Sequence, residues 1–412
     1  MTAAIVALLW LNGQRRLQRK IEALHAKGFP ITFEEIEQKR RLPPGTPNAA
    51  DLYQQAFDAY QQPSAQDMPL LPYVGSAKLP EPGVPLSEEM VAAISRFVEA
   101  NRQTLTLLKQ GVTIPDCAFA PKNLKPFPFP PYSSSFKVYG YLWELESVLC
   151  IERKDYEGTL NNIQDNIRYG DSLKRYPYFV DYLNYSGVHL RNIRIMERIL
   201  NSQQVEERIL DEMNRCLDYP LSPQIVEDAL RDELPSLLEI QSDPSSWTGS
   251  NSLFSNKAAQ SNIVECLDII EELITAHSYG HPERFRRIQV VRKKINGMTS
   301  FFHPVSTMEI PSLTLTCRMN LQIEAGFDSV RISIAIERFR LETGKLPERL
   351  EELTPKYMEK VPIDPFDGQP LRFKRLEKGY VIYSIGEDGK DDGGKMKKYG
   401  EENFDYPFTV HR

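Results

Sequence analysis

Paired cysteines, long apolar runs and a surplus of positive charge are all missing from this 412-residue chain. Five cysteines, Cys117, Cys150, Cys216, Cys266 and Cys317, are dispersed without a C-x-x-C pair. That pattern argues against a disulfide framework and a structural zinc site, and it reads as small buried hydrophobes. The formal net charge is -6, so a broad phosphate-binding face is not expected and nucleic acid is not an expected partner. Histidine and tryptophan are scarce, at six and three residues. No G-x-S-x-G elbow, P-loop, G-x-G-x-x-G or H-E-x-x-H occurs, so hydrolase, NTPase, dinucleotide and zinc-protease chemistries lack their local motifs. A pair of carboxylates that meet only in space stays open as a hydrolase site in a cleft of the helical region.

Apolar residues make up 41% and charged residues 26%, values of an ordinary globular protein, and the length allows two or three units. Ala3–Leu11 (AAIVALLWL) is shorter than the ~20 residues a membrane-spanning helix needs. Its basic residues, Arg15, Arg16, Arg19 and Lys20, follow the apolar run, whereas a signal peptide carries them in front. The order predicts the inner end of a truncated membrane anchor with membrane association through the N-terminus. The alternative is a short amphipathic helix docked on the body, which would suit a cytoplasmic scaffold.

Gln14–Lys27 reads as a stem helix, and residues 1–30 form the anchor-and-stem unit. Residues 31–315 read as a helical domain. Thr32 with Glu35 is a capping-box start, and Asn48 caps a helix over AADLYQQAFDAY. Gln61–Pro85 holds six prolines and is expected to be extended, as is the Phe119–Tyr132 stretch FAPKNLKPFPFPPY. Helices are expected over Val138–Ile151, from Lys154 to Pro177, over Tyr182–Ile199, over Gln203–Leu217, and over Ser222–Ile240 with a break at Pro235. Paired helices with short breaks predict a solenoid-like arrangement of helical hairpins. Gln241–Lys257 reads as a loop, and Asn262–Tyr279 as a further helix. His277 and His281 have i, i+4 spacing, but Gly280 and Pro282 break the helix between them, so the pair reads as a surface turn.

From Arg318 the pattern changes. Ile323, Phe327, Val330, Ile334 and Leu341 form one stripe on a long helix, and Ile332, Ile336 and Phe339 form a second. Gly344 and Pro347 end it, and Leu371–Lys374 with Gly379–Ser384 reads as an antiparallel hairpin.

The motifs IERFRLETGKLPERLEEL, VPIDPFDGQPLRF and YVIYSIGEDGKDDGG, read together, resemble the C-terminal part of the major pseudopilin of type II secretion systems. GFPITFEEI and PNAADLYQQA add a resemblance to uncharacterised anchored proteins of planctomycete-type bacteria that carry the same module. The chain departs from pseudopilins by an extra Asp367, by Glu at the sixth position after Gly28 in AKGFPITFEE, and by an apolar run ahead of that motif. Assembly into a filament is therefore not expected.

The resemblance implies an α+β pseudopilin-like module over residues 316–412, and a calcium ion held by Ser384, Asp388, Asp391, Asp392 and Asp405. An Asp/Gly loop supplies the oxygens calcium takes. The combined expectation is a mainly α-helical body with a small C-terminal α+β module. It would be a non-catalytic, envelope-anchored protein whose helical body binds a protein partner.

Overall fold

A computed structural model describes residues 2–119, 131–174, 179–202, 205–218, 224–242, 253–299, 303–308, 310–395 and 405–412. The fold is mainly helical, with one small antiparallel sheet at the C-terminal end.

The first helices are α1 (Thr2–Ala26), α2 (Phe33–Arg40) and α3 (Ala49–Ala59), followed by α4 (Glu88–Ala100) and α5 (Arg102–Gly111). Both expected caps form. Thr32 Oγ1 accepts the Glu35 N–H at 3.2 Å, and Asn48 Oδ1 accepts the Ala50 N–H at 3.1 Å. Asn48 also bonds Ala118 in both directions, which ties the segment after α5 to the α3 start. Gln61–Pro85 has no helix or strand but folds into turns, such as Ser64–Leu71 and Leu71–Ala77, instead of running extended as expected, and Asn101 clasps its start by pairing with the backbone of Gln61. Most of the Phe/Pro stretch, residues 120–130, lies outside the described residues.

Three long helices come next: α6 (Pro131–Glu152), α7 (Tyr156–Asp171) and α8 (Phe179–Leu200). Helices α6 and α8 start earlier than the expected Val138 and Tyr182, whereas α7 starts two residues after Lys154 and ends at Asp171, short of Pro177. The chain continues through α9 (Glu207–Leu217), α10 (Gln224–Asp232) and α11 (Leu234–Ser242). The α10–α11 break falls at Glu233, two residues ahead of Pro235, because proline suits the first turn of a new helix and not the interior of an old one.

Helix α12 (Leu253–His277) starts inside the stretch read as a loop, whose middle lies outside the described residues. Then come α13 (Glu283–Asn296), α14 (Pro304–Met308) and α15 (Ile310–Thr343). The stripes of α15 are buried as read, except for Leu341, which is 45% exposed where the helix runs past the core.

The sheet has order β1-β2-β3, with β1 (Arg372–Leu376), β2 (Gly379–Ser384) and β3 (Tyr406–Val410). The hairpin expected from the sequence is β1–β2, in register Arg372 with Tyr383. Strand β3 was not expected; it pairs antiparallel with β2, Tyr380 opposite Val410.

Two hydrophobic cores share α8 and α15. The first takes Ile193, Met196 and Ile199 from α8 and Phe327, Val330 and Ile334 from α15. The second takes Tyr182 and Tyr185 from α8 and Ile310, Leu313 and Leu321 from α15. The C-terminal segment enters both: Tyr380, Phe408 and Val410 of the sheet join the first, and Phe366 and Ile385, outside the strands, the second. Each fully buried side chain of this size contributes about 1.5–3 kcal/mol, so the C-terminal segment is continuous with the helical cores.

The stem half of α1 lies along α12. Leu17 and Leu24 are buried in the second core, and Lys20 pairs with Asp268 and Glu271. No helix among the described residues is long and apolar enough to cross a membrane.

Candidate functional site

Three places gather polar side chains. The first is the C-terminal Asp/Gly loop. Asp364 is fully buried and accepts the Ser384 hydroxyl at 2.9 Å, the Ile385 N–H at 2.9 Å and the Phe366 N–H at 3.0 Å. Arg372 spans Asp364 and the extra Asp367, so the DPFDG turn and the YSIG segment are one hydrogen-bonded unit.

The five residues named for calcium sit around this unit. Ser384 Oγ is buried, donating to Asp364 and accepting the Gly386 N–H at 3.1 Å. Asp388 Oδ1 accepts the Lys390 N–H, and Asp391 Oδ1 accepts the Gly393 N–H and the Tyr383 hydroxyl. Asp405 is buried, and its Oδ2 takes the Gly394 N–H at 2.7 Å. Burial pushes its carboxyl up, while the Gly394 and Asp392 amides act in the opposite sense. Asp388 Oδ2 and Asp405 Oδ1 are buried without a hydrogen bond among the described residues. No group of three or more His, Cys, Asp or Glu is placed to hold a metal ion among the described residues.

The second place is the histidine pair, and here the surface-turn reading is corrected. His277 is 4% exposed, with Nδ1 at 2.9 Å from Leu273 O, and burial holds it down at about 4. His281 Nε2 pairs with Glu324 at 2.7 Å, and Arg284 reaches the same carboxylate at 2.9 Å. The helix does end here, as read, but its end is covered by α15.

The third place lies between α6, α7 and α8, and sequence reasoning missed it. Arg191 is 5% exposed and makes no hydrogen bond or ion pair among the described residues. Its guanidinium lies over the Tyr141 ring at 5.2 Å. It fits because two helical glycines have no side chain: a Cβ on Gly140 would stand 2.3 Å from Arg191 Nη2, and one on Gly187 3.1 Å from Nη1. Burial lowers the Arg191 pKa, and the neighbouring Glu144 carboxylate opposes that shift.

Glu144 lies one helical turn from Gly140. It is 1% exposed and accepts the Tyr73 hydroxyl at 2.6 Å on Oε1, while Oε2 has no hydrogen bond among the described residues. Burial pushes Glu144 up, against the pull of Arg194, Tyr73, Arg191 and Arg198. Tyr73 stacks on Tyr141 with centroids 5.1 Å apart, and its backbone sits at φ 65°. A tyrosine in that left-handed region stores about 1–3 kcal/mol of strain, held here by the turn around it. The Val74 N–H to Pro72 O bond at 2.7 Å and the Ala77 N–H to Leu71 O bond at 3.2 Å fix that turn.

Arg194 and Arg198 continue the same face of α8 at spacings of three and four. Arg194 is exposed, and Arg198 donates to Pro80 O. Tyr169, whose hydroxyl interacts electrostatically with Arg191, and Trp143, its ring neighbour at 5.0 Å, have Oη and Nε1 buried with no hydrogen bond among the described residues. Buried orphans of this kind are uncommon because each costs about 1–3 kcal/mol. The signal available in the sequence was the pair of glycines inside long helices, each costing about 1 kcal/mol against alanine.

Strand β3 is fastened to this same helix. Glu197 Oε1 accepts the Thr409 N–H at 2.6 Å, and Asn201 bonds Thr409 and His411. No protein-family model, curated protein or solved structure matches the chain.

Proposed function

We propose that the chain is a non-catalytic, envelope-associated binding protein whose helical body holds the ligand or partner site and whose C-terminal α+β module braces it. The observation that carries this reading is the fastening of β3 to α8 through Glu197 and Asn201, one turn from Arg194 and Arg198. A module fixed to the helix that bears the polar centre limits the motion of that centre. The pseudopilin-like character of the module and the envelope location rest on the sequence resemblance and on the apolar N-terminal run.

The same reading includes a calcium ion in the Asp/Gly loop, where the two buried oxygens of Asp388 and Asp405 would be its protein-side anchors. Residues on both sides of the loop would then be drawn together by one ion.

Hydrogen exchange tests the brace. Removing residues 405–412 is expected to speed amide exchange along α8, residues 179–200, while α12 keeps its protection. Unchanged exchange along α8 would end the brace role.

A second reading, a hydrolase, is favoured by one observation: Glu144 is a buried carboxyl with an upward-shifted pKa beside a strained tyrosine. Turnover of generic ester and phosphoester substrates that disappears in Glu144→Gln would favour it over binding alone.

A further inference from the structure

We propose that the Arg191 centre is a binding site for a small ligand that carries an oxyanion, carboxylate or phosphoryl, next to a hydroxyl or ammonium donor. The proposal rests on reading the body as the binding unit, and it is independent of the brace.

Arginine is the residue whose planar fork matches an oxyanion with two parallel hydrogen bonds. Arg191 is nearly fully buried, yet none of its donors is used by the protein among the described residues. A guanidinium kept in such a place without a carboxylate bonded to it is costly to the fold, because a buried charge is normally paired. Its slot is made specifically, by Gly140 and Gly187 on facing helices, and one face of the fork is covered by Tyr141. The covered face leaves the donor edges to define the ligand.

Charge and geometry then set the ligand class. Arg194 stands at the rim, exposed and without a hydrogen bond or ion pair among the described residues, and adds positive charge on the approach. Glu144 Oε2, buried and unused, is an acceptor near enough to Arg191 for their charges to act on each other. A bare anion would leave that acceptor unanswered; a neighbouring hydroxyl or ammonium on the ligand would satisfy it. Tyr73, held to Glu144 Oε1, keeps the carboxyl turned so that Oε2 is the free oxygen. Tyr73, Glu144, Glu197 and Glu81 all act on Arg198, and the two further carboxylates, Glu197 and Glu81, temper the field at that end, which places the anion nearer Arg191 and Arg194.

The test is a thermal-shift and calorimetric titration of the full chain with glycerol 3-phosphate and with glycerate, using glycerol as the neutral control at matched ionic strength. The two anions share their hydroxyls and differ in the oxyanion, so the better one identifies the source. A ligand that binds only the folded state raises the melting midpoint by mass action. At least one anion is expected to raise it at 10 mM, and glycerol is not. Arg194→Gln, a rim change that leaves the cores intact, is expected to weaken binding about tenfold, and Arg191→Met to abolish it. Arg208→Gln, an exposed arginine paired with Glu157 away from the centre, is expected to bind like the parent protein.

A flat response to both anions overturns the proposal. So does binding that Arg194→Gln leaves at full strength, which keeps the test decisive even if Arg191→Met fails to fold. Loss of the brace in hydrogen exchange with binding intact removes the proposed role of the module and leaves this site standing.

Discussion

Asn201 grips the last strand from two sides: Nδ2 donates to Thr409 O at 2.7 Å and Oδ1 accepts the His411 N–H at 2.9 Å. Its amide is 8% exposed and sits just beyond the end of α8, so the helix passes directly into the sheet attachment. Asn201→Ala strands a backbone carbonyl and an amide together. We expect a loss of about 1–3 kcal/mol in chemical denaturation. A denaturation midpoint equal to the parent's would remove the clamp from the account.

Glu197, on the same helix, makes stability depend on pH. Burial raises its carboxyl to about 7, in spite of the Thr409 N–H on it. A raised acid holds its proton more tightly in the folded state, so its contribution is full below the ordinary glutamate value of ~4.3 and is lost as pH rises through the folded value. Glu197→Gln fixes the neutral form and keeps an oxygen for Thr409. The variant should match the parent near pH 4 and exceed it at pH 8 by roughly 2–3 kcal/mol. Melting curves across that window check this, and a difference that does not vary with pH would refute it.

The start of β2 tests how closely the sheet strands approach. Gly379 has φ +104°, and a Cβ there would meet Val410 O at 1.9 Å. Gly389 has φ +69° with open space around it. Gly379→Ala is expected to cost about 2–4 kcal/mol, from strain and a backbone clash together. Gly389→Ala carries the strain alone, about 1–2 kcal/mol. Equal losses in the two variants would mean that the close approach to Val410 contributes nothing.

Calcium in the Asp/Gly loop has its own readout. The melting midpoint in 1 mM calcium should exceed that in excess chelator, and Asp405→Asn should erase the difference. Magnesium is expected to substitute poorly, since it demands a tighter octahedron. Identical midpoints with calcium and with chelator would exclude the ion.

The sequence made the helices legible where local chemistry decides them. Thr32 and Asn48 announce two starts, Pro235 a break, and the stripes of α15 a helix buried on two sides. Its outlier, Leu341, shows that spacing marks a face and not where the core stops. Strand β3 was hidden because YPFTV is a short segment containing proline, and it is made a strand by its neighbours: β2 on one edge, Glu197 and Asn201 at its backbone. The Arg191 centre was hidden for a related reason. Gly140 and Glu144 lie on α6, Gly187 and Arg191 on α8, and nothing in linear spacing says that the two pairs meet. The histidines were misplaced because a broken helix end reads as surface until another element, here α15, is known to cover it.

Val410 and Ala49 belong to one core. The attachment of α8 to β3, through Glu197 and Asn201 on Thr409 and His411, cannot form until residues 405–412 have been made. Synthesis from the N-terminus would leave the part of the first core that takes Phe408 and Val410 uncovered until residues 405–412 emerge, with apolar surface open to other chains in the interval. Contacts between residues that far apart in sequence also raise contact order, which slows folding relative to a helical array with neighbour-only contacts. Strand β3 thus sets the time at which α8 and the first core gain their last cover among the described residues.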